Sequence, residues 1–263
     1  MKNLLFLLPI ILFFSCEKVI DVELNEANEN LAIEAKFNAE TKEINVLISK
    51  TTAYFNPEDI EFVSDAVVRV SNEKGNIQEL ELNGNGNYST VVNFDLSDSL
   101  TLEVEHDLGI FSSTAEVVQT ASLNSIEFIK GTGPLALPDG EYLIRVLIAD
   151  DVEEENYYMF ETVKNGMPLA SFRGYDVIDD LLATNGLIDY IFVGNTHSVG
   201  DTINLSLLSL NEAAYKYYGD LAQLQSEGLA SASPANPVNN WSNNALGYFM
   251  VFAPTDYTIV IEE

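Results

Sequence analysis

Cysteine and histidine are almost missing from this sequence: 263 residues hold one cysteine, Cys16, and two histidines, His106 and His197. A single thiol excludes an intrachain disulfide, so apolar burial must hold the fold unaided. Two histidines leave little for zinc binding or general-base work, and neither G-x-S-x-G nor H-E-x-x-H occurs. Ser71-Asn72-Glu73-Lys74 has the S-x-x-K spelling, but it runs from a strand pattern into a turn at Gly75. The sequence therefore points away from an enzyme and implies no cofactor. Positive charge is also scarce, with 12 Lys and Arg against 41 Asp and Glu and a net charge of −29. Phosphate-backbone binding is driven by Lys and Arg displacing counterions, so nucleic acid is excluded as a partner. No apolar run reaches the ~20 residues of a membrane-spanning helix; the longest is Leu4 to Phe14.

What is present is a globular composition, 47% hydrophobic and 10% aromatic, far from the disordered class. Lys2, the short apolar run and Ser15 before Cys16 make a secretory signal. With the cysteine at that place, the pattern resembles a bacterial lipoprotein signal peptide. That resemblance implies removal of residues 1–15, diacylglycerol on the Cys16 thioether and acylation of the freed amine. Phe13 and Phe14 depart from the usual leucine and small residue, and the other reading is an ordinary cleaved signal with an incidental cysteine. Several acyl chains would anchor stably where one would be marginal. Residues 16–30 are acidic and Asn-rich and read as a tether with a reach of ~45 Å if extended, with Val19, Ile20, Val22 and Leu24 available to dock on the body.

From residue 31 the hydrophobic period is two. Leu31, Ile33, Ala35 and Phe37 alternate with polar residues, as do Ile44, Val46 and Ile48, the pattern of half-buried strands. Further runs at 66–71, 77–82, 88–94, 100–105 and 110–118 complete a predicted antiparallel β-sandwich over residues 31–119. Asn83-Gly84-Asn85-Gly86-Asn87 is hairpin chemistry. His106, at a strand end between two acids, is expected to be exposed, and His197 to lie in a polar loop.

Residues 120–263 read as a second β-rich domain carrying one helix, so the predicted fold class is mostly β with two antiparallel sandwich-like domains. Strands at 142–149 and 157–163 flank Asp150-Asp151-Val152-Glu153-Glu154-Glu155. Asp150, Asp151, Glu153, Glu154 and Glu155 are a weak candidate calcium site; the competing reading is a solvated hairpin tip without metal. The helix is placed near 210–227, with Ser209 or Asn211 as cap, Gly228 as stop, and Ala214, Tyr217, Tyr218, Leu221 and Leu224 on one face. The polar loop 231–244 surrounds Trp241. Either that ring is a binding surface, with Asn240 and Asn243 beside it, or it plugs the domain's own core. A closing hairpin, 246–253 and 257–261 around Pro254, ends the chain.

Two resemblances follow from these residues. Ala66-Val67-Val68-Arg69-Val70, Gly75 and Gly86-Asn87-Tyr88 are similar in spacing to carboxypeptidase-regulatory-like and prealbumin-type β-sandwiches, which implies a stability or presentation module. The Gly200-Asp201-Thr202 strand, the helix with Ala214-Tyr215-Lys216-Tyr217-Tyr218, Asn236-Pro237 and the closing Asn243-Asn244-Ala245-Leu246-Gly247-Tyr248-Phe249 resemble a family of outer-membrane lipoproteins known only as a domain of unknown function. Its members are typically encoded beside TonB-dependent receptors. The resemblance implies an outer-membrane location through the lipid anchor, on the periplasmic or the cell-surface face, and such a receptor as partner. Asp98-Ser99-Leu100 and Asp201-Thr202-Ile203 also resemble the O-glycosylation acceptors of those bacteria, at Ser99 and Thr202; the alternative for both is a strand start. The expected function is an anchored accessory lipoprotein that binds a ligand or docks on a TonB-dependent transporter in nutrient uptake. The alternatives are a structural or adhesive surface lipoprotein and, third, an anchored hydrolase.

Overall fold

The computed structural model describes residues 29–51, 60–151, 153–171, 174–227 and 236–262. Cys16, the signal, most of the tether and Gly228 lie outside them. The chain is mostly β, with several antiparallel sheets and a single α-helix among the described residues.

The alternating runs of the first region form β1 (Leu31–Asn38), β2 (Glu43–Lys50), β3 (Val67–Asn72), β4 (Ile77–Glu79), β5 (Glu81–Gly84), β6 (Asn87–Val91), β7 (Ser99–His106) and β8 (Gly109–Glu116). The strands β1, β2, β6 and β5 are hydrogen-bonded in that order, and β4-β3-β7-β8 make a second sheet. Between them lies the first core, in which Leu31, Ile33, Ala35, Phe37, Ile44, Val46 and Ile48 are fully buried, at roughly 1.5–3 kcal/mol for each large side chain. The run expected at 77–82 divides at the buried Leu80: β4 joins one sheet and β5 the other. Asn85 (φ +50°) and Gly86 (φ +68°) turn the β5–β6 hairpin.

The second region adds β9 (Ser122–Ile129), β10 (Glu141–Ala149), β11 (Tyr157–Lys164), β12 (Met167–Pro168), β13 (Asp176–Asp179), β14 (Leu187–Ile191), β15 (His197–Ser198), β16 (Thr202–Leu210), α1 (Glu212–Glu227) and β17 (Leu246–Val260). The central sheet runs β12-β11-β16-β17-β1-β2-β6-β5, with β13 also on β11, while β14, β10, β15 and β9 form the remaining sheet. The 119/120 boundary thus separates the two flanking sheets, and the central sheet crosses it through a parallel pairing of β1 with β17.

Burial on both faces explains the non-alternating runs. Odd positions of β16, Ile203, Leu205 and Leu207, enter the second core with Ile144, Val146 and Ile148 of β10. Leu208 and Leu210, with Tyr248 and Met250 of β17, face α1, which returns Ala214 and Tyr218. The helical aromatics are a packing face: Tyr157 stacks on Tyr215 at 4.9 Å, and the Tyr218 hydroxyl donates to that of Tyr248 at 3.2 Å.

Three expectations need correction. The 246–261 segment is one strand, not a hairpin: residues 246–252 pair with β1 and 252–260 with β16. Pro254 is tolerated because it lies past Asn38, where β1 stops and β17 keeps one neighbour. The acidic 150–155 segment is likewise no hairpin tip, since β10 and β11 belong to different sheets. Asn211 stands before α1, but its side chain accepts from Val251 N–H and donates to Phe249 O. It ties the helix entry to β17 instead of capping the helix, while its own carbonyl accepts the first helical bond, from Tyr215 N–H at 3.2 Å.

Candidate functional site

Along its whole length β11 pairs with β16, but its other edge is covered in two pieces, β13 on residues 157–160 and β12 on 163–164. Between them the chain leaves the edge after Leu169, whose N–H donates to Thr162 O at 2.8 Å, and returns at Asp176. This excursion opens a cavity of about 370 Å³ against the end of the neighbouring sheet. Its apolar wall includes Ile144, Phe160, Tyr175 and Phe192, and its polar wall Ser171, Asp176, Asn195 and His197. The aromatic packing is dense: Phe160 meets Phe192 edge-on at 4.9 Å and Tyr190 at 5.5 Å. Asn195 Nδ2 donates to Ala170 O at 2.9 Å, joining the excursion to the opposite wall.

His197 is the unusual member. It pairs with Tyr142 in the short β15, is 2% exposed, and its Nδ1 has no hydrogen-bond partner among the described residues. Burial and then Lys164 push its pKa below the ordinary value, with Asp201 opposing, so the ring is neutral at pH 7. Lys164 is committed elsewhere: its Nζ lies 2.6 Å from Asp201 Oδ2 and donates to Thr196 O. That lysine, with the amide of Ser198 and Asn165, holds the Asp201 carboxyl down at about 2. An unpartnered buried polar atom is costly unless something pairs with it.

Asp176 is prearranged in a different way. Ser171 Oγ and Tyr190 OH both donate to its Oδ1, at 2.7 and 2.8 Å, and no hydrogen bond reaches Oδ2 from the described residues. The cavity lining carries two carboxylates, Asp176 and Glu161, and among the described residues no Lys or Arg. A concave apolar wall with a few convergent polar groups is the general form of a small-molecule site.

The residues singled out from sequence fall elsewhere. Trp241 is 6% exposed and sits in the first core, so it offers no face to a ligand. Asn240 clamps Phe249 through both its N–H and its carbonyl, and Asn243 Nδ2 donates to Ile110 O. With Ser242 bonded to Ser112, this loop covers the open edge of β8. Asp150 accepts from Tyr158 OH, Asp151 from the amide of Glu153, and Glu155 from Tyr157 OH; among the described residues no group of three acids or histidines is arranged for a metal. Burial raises the Asp150 pKa. Ser99 and Thr202 each begin a strand, Ser99 donating to Glu73 and the Thr202 amide to Asn165. His106 is corrected: its side chain is only 7% exposed, with Nδ1 accepting from Leu108 N–H and Nε2 3.4 Å from Asp65. His197 is corrected from polar loop to buried wall. Nothing local marked the cavity, because its walls come from residues 144 to 197 through five strands; the one available signal was the Tyr175, Tyr190 and Phe192 cluster near a solitary histidine.

Fold and site together define a sheet-rich protein whose central sheet is shared by two flanking sheets and a helix, with a partly open cavity at one edge. The chain belongs to the family described as domain of unknown function (DUF4249), which matches residues 17–258. No curated protein matches it.

Proposed function

We propose that this protein is an outer-membrane lipoprotein that captures a small molecule in the β11-edge cavity and passes it to a TonB-dependent transporter. The observation that carries the reading is the cavity itself, a partly open space of about 370 Å³ with an apolar wall of Ile144, Phe160, Tyr175 and Phe192, bordered by the buried His197 and the carboxylate of Asp176. Cys16 supports it by supplying the anchor, in a signal of the lipoprotein kind. The acidity agrees, because a strongly negative body is repelled by anionic headgroups and stands off the bilayer. The cavity walls are mounted on β11, β12 and β13 of the central sheet and β10 and β15 of the neighbouring one, a rigid mount suited to binding without rearrangement.

The test is made in cells. Cys16→Ser is expected to move the protein from the membrane fraction to the soluble one, and the wild-type protein, captured from detergent extract, to bring a β-barrel receptor with it while the variant brings none. Unchanged fractionation of the variant would remove the anchor. Recovery of no barrel by the wild type would remove the transporter.

A further inference from the structure

We infer that the C-terminal half of β17 is a docking edge for an extended segment of a partner protein, alternately basic and aliphatic, which adds to the central sheet as a further strand. This edge lies apart from the cavity and does not depend on what the cavity holds.

The geometry follows from the strand pairing. Odd residues of β17 turn their N–H and C=O groups to β16: Ile261 N–H donates to Asp201 O at 3.0 Å and Asn211 N–H to Val251 O at 3.2 Å, with unbroken register between. Even residues turn theirs to the other side, where Phe252 O accepts from Ala39 N–H at 2.8 Å. Because β1 stops at Asn38, opposite Phe252, the outward backbone groups of Asp256, Thr258 and Val260 have no strand partner among the described residues. A strand edge of this kind is a template for pairing with another chain.

The longer undescribed segments join the body away from this edge. Residues 52–59 follow Thr51, whose N–H donates to Asn30 O, and the Asn30 side chain donates to Asn244 O, before the start of β17. Asp256 lies about 40 Å further along at a strand's rise per residue, so the tether spends nearly all of its ~45 Å reach to arrive there. Residues 228–235 lead from α1 to the Asn240 clamp on Phe249, within the part of β17 that β1 covers.

The two faces beside the edge differ. Thr255, Tyr257 and Ile259 are half-buried on one, and Asp256 and Thr258 are exposed on the other. A neighbouring strand is therefore served by an aliphatic side chain at one position and a cation at the next. Glu40 and Asp98 line a cleft of about 350 Å³ beside Ala253 at one end, and the exposed Glu262 follows the other. A basic strand is attracted by these carboxylates, whereas a second copy brings a like-charged body of net charge −29.

The experiment uses the detergent-solubilised full-length protein and three short blocked peptides. One alternates lysine and valine, one alternates glutamate and valine, and the third is the lysine–valine peptide N-methylated at every residue, which keeps the charge but cannot donate to a strand. Residue-resolved hydrogen exchange of the free protein is expected to be fast at the amides of Asp256, Thr258 and Val260. By calorimetry the lysine–valine peptide should bind at least ~10-fold more tightly than either other peptide, since a few net backbone hydrogen bonds are worth that much, and it should slow those three amides. Thr258→Pro removes one outward N–H and leaves the hydrogen bonds to β16 alone; it should weaken the lysine–valine peptide ~5-fold. Equal binding of the N-methylated peptide reduces the attraction to net charge and overturns the docking edge. Equal binding of the glutamate–valine peptide overturns the basic partner. Amides already protected in the free protein, whether by its own tether or by a second copy, overturn the inference, as does binding of no peptide or an affinity unchanged in a folded Thr258→Pro. The three-peptide comparison on the wild type decides even if the variant does not fold.

Discussion

Gly247→Ala is expected to cost on the order of 4 kcal/mol or more in stability. Gly247 pairs with Ile33 in the parallel ladder between β17 and β1. Its φ is +104°, and a Cβ there would stand 2.1 Å from Ile33 O and 2.8 Å from Ile33 C. Backbone cannot rotate out of the way as a side chain can, so β1 and β17 would have to part, and with them the one connection between the two halves of the central sheet. Gly140 supplies the control: its φ is +84°, but nothing lies within 4 Å of its Cβ position. Gly140→Ala carries only the dihedral cost, about 1–2 kcal/mol. Urea unfolding followed by circular dichroism compares them, and equal losses would show that the close approach of β17 to β1 is not what Gly247 provides.

Trp241→Ala is expected to cost about 3–5 kcal/mol, the usual range for emptying a buried Trp site, and to lower the melting temperature by about 10 °C at this chain length. The ring fills the first core between Phe249 and the sandwich sheets. Its loop also seals β8: Ser242 N–H donates to Ser112 O and Ser112 N–H to Ser242 Oγ, both at 2.8 Å. The variant should therefore show faster amide exchange at Ser112 as well as a lower melting point. Because Trp241 is the only tryptophan, the wild-type emission should be blue-shifted and protected from iodide. A melting temperature unchanged by the substitution would place the ring outside the core.

These two positions show where sequence reading succeeds and where it stops. The alternation at Leu31, Ile33, Ala35 and Phe37 was legible because strand side chains change face at every residue and the first core takes one face only. The helix was legible because Ala214, Tyr218 and Leu221 recur at its period and pack on one sheet face. Tyr248, Phe249, Met250 and Val251 were harder, since a strand buried on both faces has no alternation to read. The parallel partner of that strand is more than two hundred residues away in the chain, and no local pattern encodes it. Gly247 stood out in the closing motif without a reason, and the reason is the carbonyl of Ile33. Pro254 read as a turn because its missing N–H usually ends a strand, and only the place where β1 stops makes it harmless. The Trp241 loop left its ring open between surface and core because its neighbours are polar, and those asparagines turn out to spend their amides on Phe249 and Ile110 backbone. The cavity was invisible for the same reason as the parallel pair. It is assembled by strand order, and its key residue, His197, sits in a two-residue strand flanked by polar side chains.

The scarcity of histidine makes the central claim directly measurable. Labelling with ¹⁵N-histidine gives two imidazoles in the spectrum, His197 in the cavity wall and His106, whose nitrogens already face Leu108 N–H and Asp65. Titration with a small aromatic probe such as indole at pH 7 is predicted to move the His197 ring signals saturably and to leave those of His106 where they were. A His197 signal that stays fixed up to millimolar probe, or that moves no more than His106, would contradict capture in this cavity.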